Sequence, residues 1–468
     1  MSKPFETITN EEKKKLAALL AAAETQDEHP PWYNGKRIDE VAYCESLLAE
    51  QELRCINGRL YSIDGIADDL QMKARIAADL KPYIRSSLNR TVERVLESLK
   101  LLCMSEPVKP TSDRVHFKNG TYILGEGFIP SKEWTMNRLP IDYSVDASTP
   151  VRWLSFLTEL LHEEDIPLLQ EFLGYCMTAT TRAQAMLLIL GNGGEGKSRI
   201  SAVMQTVFGC NANVGSISQL ENDKFYPAEL EGKLLFMDDD MKMEALGSSN
   251  NIKAIVTCDG KMTLERKGKQ AYQGVMYARL FGLGNGSLKA LHDKSHGFYR
   301  RQIIIRTKDK PPQRKDDPFL KEKLDAEIPG IVQWCIEGLT RLVENEYRFS
   351  VSERSAQLKK ELMDEDNNIR PFLGSTGYIQ LILGAQSTTK RLYEAYGKWC
   401  FDNAEKPMAE STFSKYLHQN AAAIGIRANP NVKMNFHRYA RGFDGIKVMD
   451  EKDVVFTPLD GDDPDFPF

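Results

Sequence analysis

At 468 residues, with 42% hydrophobic and 27% charged side chains, the chain is too long for one core and ordinary for a globular protein, so two or three domains are expected. No uncharged apolar stretch reaches the roughly 18 residues that span a bilayer, and MSKPFETITNEEKKK lacks an apolar signal segment, which points to a cytoplasmic protein without a membrane partner. With a net charge of −5, nothing global announces nucleic acid, and the eight cysteines contain no C-x-x-C pair, so they read as reduced core residues and not as zinc ligands.

Residues 1–105 read as mostly helical. Thr91 to Cys103 places Val92, Val95, Leu96, Leu99 and Leu102 on one face, and the Asn57-Gly58 pair predicts a small hairpin within Leu53 to Ile63. Residues 106–180 begin with turn signals (Pro107, Pro110, Asn119-Gly120, Gly125, Gly127, Pro130, Pro140, Pro150), expected as a linker with a short β element. Two helices follow, Trp153 to His162 and Ile166 to Met177, with leucines and aromatics at helical spacing.

The next stretch, residues 181–312, carries the chemistry. Met186 to Leu190 has the length and composition of a buried strand, and Gly191-Asn192-Gly193-Gly194-Glu195-Gly196-Lys197-Ser198 then matches G-x-x-x-x-G-K-[ST]. Positive φ at Gly191, Gly193, Gly194 and Gly196 would turn backbone N–H groups inward, so that they and the following helix N-terminus face an anion. In such a loop Lys197 reaches the β- and γ-phosphates of ATP, and the Ser198 hydroxyl ligates Mg²⁺. The helix carries Ile200, Val203, Met204 and Val207 on one face and stops at Gly209.

A second buried strand, Lys233 to Met237, ends in Asp238, Asp239 and Asp240. Asp238 is expected to hold the metal and Asp239 to orient or deprotonate the attacking water. Ser248 or Ser249 caps a helix through Ile252, Ile255 and Val256. Met262 to Arg266 and Tyr272 to Leu283 read as two strands joined by a glycine turn, which would aim Arg266, Lys267 and Lys269 at the backbone of single-stranded DNA; a solvated basic turn is the alternative. Asn285, at the tip of the longer strand, is a candidate γ-phosphate sensor. Arg300 and Arg301, before the strand Ile303 to Ile305, are candidates for an arginine finger reaching a neighbouring subunit, with surface phosphate contact or a structural ion pair as alternatives. Lys261 to Lys310 holds twelve Lys/Arg against three acids, a local excess of +9 that a polyanion would find.

These motifs, in the order GNGGEGKS, KLLFMDD, IKAIVTCDGKMTLERKGK, LFGLGN and GFYRRQIII, resemble the helicase half of the phage and plasmid primase-helicases, superfamily 3 helicases related to the poxvirus primase-helicase. The likeness covers roughly Val115 to Leu342, with VHFKNG, LPIDYS and LLQEFLGYCMTATT upstream and IPGIVQWCIEGLTRL downstream. It implies a P-loop AAA+-like α/β ATPase core, preceded by a mostly helical domain and followed by a helical or winged-helix domain. It further implies an ATP-driven homo-hexameric ring that moves along one DNA strand, with the basic hairpin touching that strand. Glu195 stands where the family often has Asn, and Asp239 where Glu is frequent. Many relatives carry an N-terminal primase; none is recognisable here, so priming is expected from a separate protein.

In residues 313–450, Phe319 to Glu344, Arg391 to Phe401 and Ser411 to Ala423 read as helices, and Arg427 to Val448 as a hairpin. Two helices plus a hairpin suggest a winged helix, with Arg427, Lys433, His437, Arg438 and Arg441 facing duplex DNA or simply solvent. Residues 451–468 form an acidic tail ending Asp465-Phe466-Pro467-Phe468, similar to the tip of bacterial single-stranded-DNA-binding proteins and suited to recruiting host replication proteins. The expected function is an ATP-dependent replicative DNA helicase of a mobile element. The alternatives are an origin-binding initiator that uses ATP as an assembly switch, and a P-loop ATPase indifferent to DNA.

Overall fold

The structure, a computed structural model, describes residues 29–241, 246, 248–258, 260–268, 270–285, 296–314, 316–365, 368–435 and 438–449. The chain divides into two compact units: residues up to Pro110 with Pro130–Arg138, and Thr111–Ile129 with everything from Leu139.

In the first unit, α1 (Glu40–Glu50) is followed by the strands β1 (Leu53–Ile56), β2 (Arg59–Ser62) and β3 (Gly65–Ala67) and by α2 (Asp69–Leu80) and α3 (Leu88–Leu102). Asp39 and Asp68 cap α1 and α2, each accepting two backbone N–H groups. The expected hairpin turns at Asn57 (φ 52°) and Gly58 (φ 80°), the left-handed pair that a tight two-residue turn requires. Tyr43, Leu60, Ile76, Val95 and Leu99 fill the core. Leu102, expected on the buried face of α3, is 47% exposed; Cys103, one position on, is the residue that joins Leu99 in the core.

The second unit opens with the antiparallel strands β4 (Arg114–Phe117), β5 (Gly120–Ile123) and β6 (Gly127–Ile129). The helices α4 (Val151–Leu160) and α5 (Ile166–Tyr175) lead into β7 (Met186–Leu190), α6 (Ser198–Phe208), β8 (Ala212–Val214), α7 (Ile217–Asn222) and β9 (Leu235–Met241). Beyond them lie α8 (Asn250–Thr257), the hairpin β10 (Gly260–Leu264) and β11 (Tyr272–Met276), β12 (Arg279–Gly284), the short α9 (His296–Tyr299) and β13 (Gln302–Arg306).

Five of these strands form one parallel sheet in the order β13-β7-β12-β9-β8. The chain leaves β7 for the edge strand β8, steps back through β9 and β12, and crosses over β7 to reach β13. That reversal beside β7 opens a crevice at the carboxyl ends of the strands, the usual ligand position in such sheets. Every residue of β7 and β12 is buried, which is why Met186 to Leu190 and Leu280 to Leu283 carry no polar side chain.

The expected single strand from Tyr272 to Leu283 is two strands in two sheets. It breaks at Tyr277-Ala278: β11 pairs with β10, and β12 joins the parallel sheet. No glycine or proline stands at Tyr277-Ala278, so the pattern does not mark the change of partner.

The helices α10 (Leu320–Asp325), α11 (Ile328–Glu344) and α12 (Glu353–Glu365) follow the sheet. Helix α11 lies against α5 at glycine-only distance: a Cβ on Gly174 would come within 2.1 Å of the Cys335 carbonyl, and one on Gly338 within 2.5 Å of Gln170. The fully buried Glu171 accepts from Arg341 Nε, Ser350 N and Ser350 Oγ, each at 2.7 Å, tying the same helices together.

The chain then forms α13 (Ile369–Leu373), β14 (Ile379–Thr388), α14 (Thr389–Asp402), α15 (Glu410–Ile424), β15 (Arg427–Asn435) and β16 (Arg438–Val448). These strands make an antiparallel sheet in the order β14-β16-β15, covered by a core in which Tyr396 stacks on Phe413 at 4.8 Å. Among the described residues, no helix is long and apolar enough to cross a membrane. Seven cysteines are buried as expected; Cys210, just after α6, is exposed.

Candidate functional site

The glycine loop joins β7 to α6 at the carboxyl ends of the parallel strands. Its first residue is tied into the sheet, with Gly191 N–H donating to the Gly284 carbonyl at 3.0 Å. Gly193, Gly194 and Gly196 have φ of 101°, 79° and 105°. Gly191 does not share that conformation, contrary to expectation, and needs glycine for space. A Cβ there would lie 2.5 Å from Thr307 Oγ1 and 2.6 Å from Lys197 Nζ.

The loop borders an open cavity of about 630 Å³, a volume in the range of small-molecule sites. Gly193 to Ser198 form one wall; Asn285, at the tip of β12, forms another; Asp239 and Asp240, near the end of β9, face both. Lys197 is 8% exposed, and its ammonium donates to Glu195 Oε2 at 2.7 Å and Asn285 Oδ1 at 3.3 Å. Ser198 opens α6 with its side chain toward solvent and cavity, beside the positive end of the helix. Asn192 Nδ2 donates to Asp309 Oδ1 at 2.7 Å, which fixes the outer side of the loop.

Asp238 is not brought to the cavity. It is 4% exposed, and Oδ2 accepts the Ile217 N–H at 2.7 Å, bracing the start of α7. Burial pushes its carboxyl above the ordinary range, opposed by the N–H groups of Ile217 and Asp240. The next two acids are the exposed ones, because β9 departs from its regular register with β12 between Gly282 and Gly284.

Arg300 and Arg301 stand at the other end of the sheet. β13 runs alongside β7 from Gln302 opposite Met186 to Arg306 opposite Leu190, so the arginines lie a strand's length from the loop, roughly 16 Å at ~3.3 Å per residue. That separation excludes them from this chain's own glycine loop. Arg300 is exposed, whereas Arg301 donates through a guanidinium nitrogen to the Gly297 carbonyl.

Among the described residues of the +9 segment, not every basic side chain faces outward. Arg279 is 2% exposed, and Arg266 donates to Glu231 Oε2 at 2.9 Å and to the Tyr272 hydroxyl at 2.8 Å, so it fastens the hairpin instead of pointing outward. Lys267 is exposed beside Gly268 (φ 76°) at the turn; Lys269 lies outside the described residues, as do His437 and the acidic tail.

Among the described residues, four charged ones that line the cavity escaped the sequence reading: Arg199, Arg314, and Asp316 and Asp317, which accept from Lys310 at 2.8 Å and Lys323 at 2.7 Å. Arg314, in the loop after β13, lines the cavity and donates to the Glu195 carbonyl at 3.0 Å. The available signal was a basic residue in the proline-bounded run PPQRKDDP, following a strand that borders β7. Lys197, Arg314, Ser198 and the positive end of α6 suit an anion, and two free-facing carboxylates opposite them suit a cation bound to that anion.

Residues 189–301 match the model of a family described as a family of unknown function (DUF5906). Solved structures of the NrS-1 C terminal region are similar at low identity. The A form apo structure (CTR) gives a TM-score of 0.46 at 12% identity, covering 82% of this chain and 86% of that one. The apo structure of region 305-718 gives 0.48 at 10% identity, covering 87% and 99%. Identities and scores this low transfer no role, and the functional reading rests on the chain's own residues.

Proposed function

We propose that the chain is an ATP hydrolase that works as a replicative DNA helicase of a phage, plasmid or other mobile element, of the superfamily 3 type. The observation that carries this reading is the convergence of Lys197, Ser198, Asn285, Asp239 and Asp240 on one cavity at the sheet's reversal point. A P-loop core of AAA+ kind accounts for that convergence and for the β13-β7-β12-β9-β8 order.

In this reading Lys197 and the loop N–H groups hold the β- and γ-phosphates, and Arg314 adds a second cation from within the chain. Mg²⁺, when bound, neutralises phosphate charge. Ser198 and Asp239 are the oxygens offered to it, and Asp240 or Asp239 holds the attacking water with Asn285; Asp238 is left as a brace. Because Arg300 and Arg301 sit at the amino ends of the strands, either would act as a finger only on the loop of a neighbouring protomer, which fits a homo-hexameric ring. Lys267 at the hairpin turn is the residue offered to single-stranded DNA.

A second reading, an origin-binding initiator, draws on the C-terminal order helix, strand, helix, helix, strand, strand, which is that of a winged helix, with Arg427, Lys433, Arg438 and Arg441 exposed. A separate primase, and host proteins recruited through the tail, complete the proposal.

The test is ATP hydrolysis and strand displacement by the assembled oligomer. Hydrolysis should rise with single-stranded DNA, fall steeply with salt, and drop when Arg300 and Arg301 are both replaced by alanine. Turnover indifferent to both arginines would overturn the ring motor. ATP-dependent assembly on duplex DNA without displacement would favour the initiator.

A further inference from the structure

The loop that binds phosphate in this reading contains an acid where its chemistry calls for cations. Glu195 is 2% exposed; Oε2 accepts from Lys197 Nζ at 2.7 Å, and Oε1 accepts the Asn192 N–H. The ammonium has three donors, of which Glu195 takes one and Asn285 another at 3.3 Å. The pair leaves the heart of the loop with no net charge, and at this depth solvent screens little of the interaction. The carboxyl packs against Gly191, where a Cβ would stand 3.0 Å from Glu195 Cδ and 2.6 Å from Lys197 Nζ. Although burial disfavours the charged form, Lys197 and the loop N–H groups outweigh it and hold the carboxyl below the usual range. An ionised carboxylate therefore holds the lysine that a triphosphate needs.

We infer that Glu195 is an affinity-setting residue that competes with the nucleotide's β- and γ-phosphates for Lys197 and the Asn192 N–H. Nucleotide enters by exchange: its phosphate oxygens take over those donors, and the carboxylate swings out or bears the repulsion. This inference deepens the ATPase reading and rests on it. A structural brace makes the opposite demand, since a brace that is weakened loosens the loop and lowers affinity.

The experiment is equilibrium binding of Mg-ATP, Mg-ADP and AMP to the full chain and to Glu195→Gln and Glu195→Asn, with folding checked by circular dichroism. Glutamine keeps the length and an acceptor for Asn192 N–H while removing the charge; asparagine removes charge and reach together. Competition predicts roughly tenfold tighter Mg-ATP binding by both variants, a smaller gain for ADP and none for AMP, because the gain scales with phosphate charge near Lys197. Stopped-flow binding of a fluorescent ATP analogue should level off with concentration in the wild type and remain linear further in Glu195→Gln, since release of Lys197 limits the former. Equal or weaker Mg-ATP binding by both folded variants overturns the inference and leaves the ATPase reading standing. Absence of nucleotide binding by the wild type as well overturns both.

Discussion

Lys197 and Arg279 are both nearly buried, 8% and 2% exposed, at opposite ends of one parallel sheet, and they are satisfied in opposite ways. Lys197 faces a carboxylate and an amide at a cavity edge, partners that a phosphate can replace. Arg279, at the start of β12, donates to the carbonyls of Cys176 at 2.6 Å, Thr180 at 3.0 Å, Thr178 and Tyr277, and lies 5.1 Å over the Tyr175 ring. Those carbonyls belong mostly to the segment that leaves α5, so the guanidinium closes the end of that helix and joins it to the sheet. A buried cation with exchangeable partners makes a site; one with fixed backbone partners makes a strut.

The comparison breaks most visibly at Lys197. Replacing it with alanine should cut ATP turnover by about 10³-fold, the scale of losing a preorganised donor to developing phosphate charge, while costing only about 1–2 kcal/mol in urea unfolding, because Glu195 loses its charged partner but keeps the Asn192 N–H. A large fall in stability with turnover retained would reverse the assignment of site and strut.

Arg279→Met should do the converse. It leaves four buried carbonyls without their donor and should cost about 3 kcal/mol in urea unfolding, with Arg279→Lys restoring part of it because an ammonium reaches fewer of them. The smallest effects belong to the hairpin, where two adjacent residues divide the same roles. Lys267→Ala should weaken binding to single-stranded DNA and lower the slope of log affinity against log salt by about 1, with stability unaffected. Arg266→Ala should instead destabilise the chain by about 1–2 kcal/mol, since Glu231, 7% exposed, loses its charged partner.

What the chain's own order of residues determined is local: a buried strand, a glycine loop ending in Lys197 and Ser198, a helix behind it, a hairpin turning at Asn57-Gly58, and the acids and Asn285 at strand tips. Each follows from short-range sterics or from a periodicity that nearby residues report. Tertiary packing decided what each charge is used for. It turned Asp239 and Asp240 to the cavity and Asp238 inward, spent Arg266 and Arg279 on internal partners, brought Arg314 beside the loop, and put Arg300 and Arg301 at the far end of the sheet. A charged side chain has the same local signature whether it will meet solvent, a carboxylate or a row of carbonyls. Its partner can come from residues far along the chain, 119 positions for Arg314 and Glu195 and 170 for Arg341 and Glu171, and only the folded chain brings them within reach.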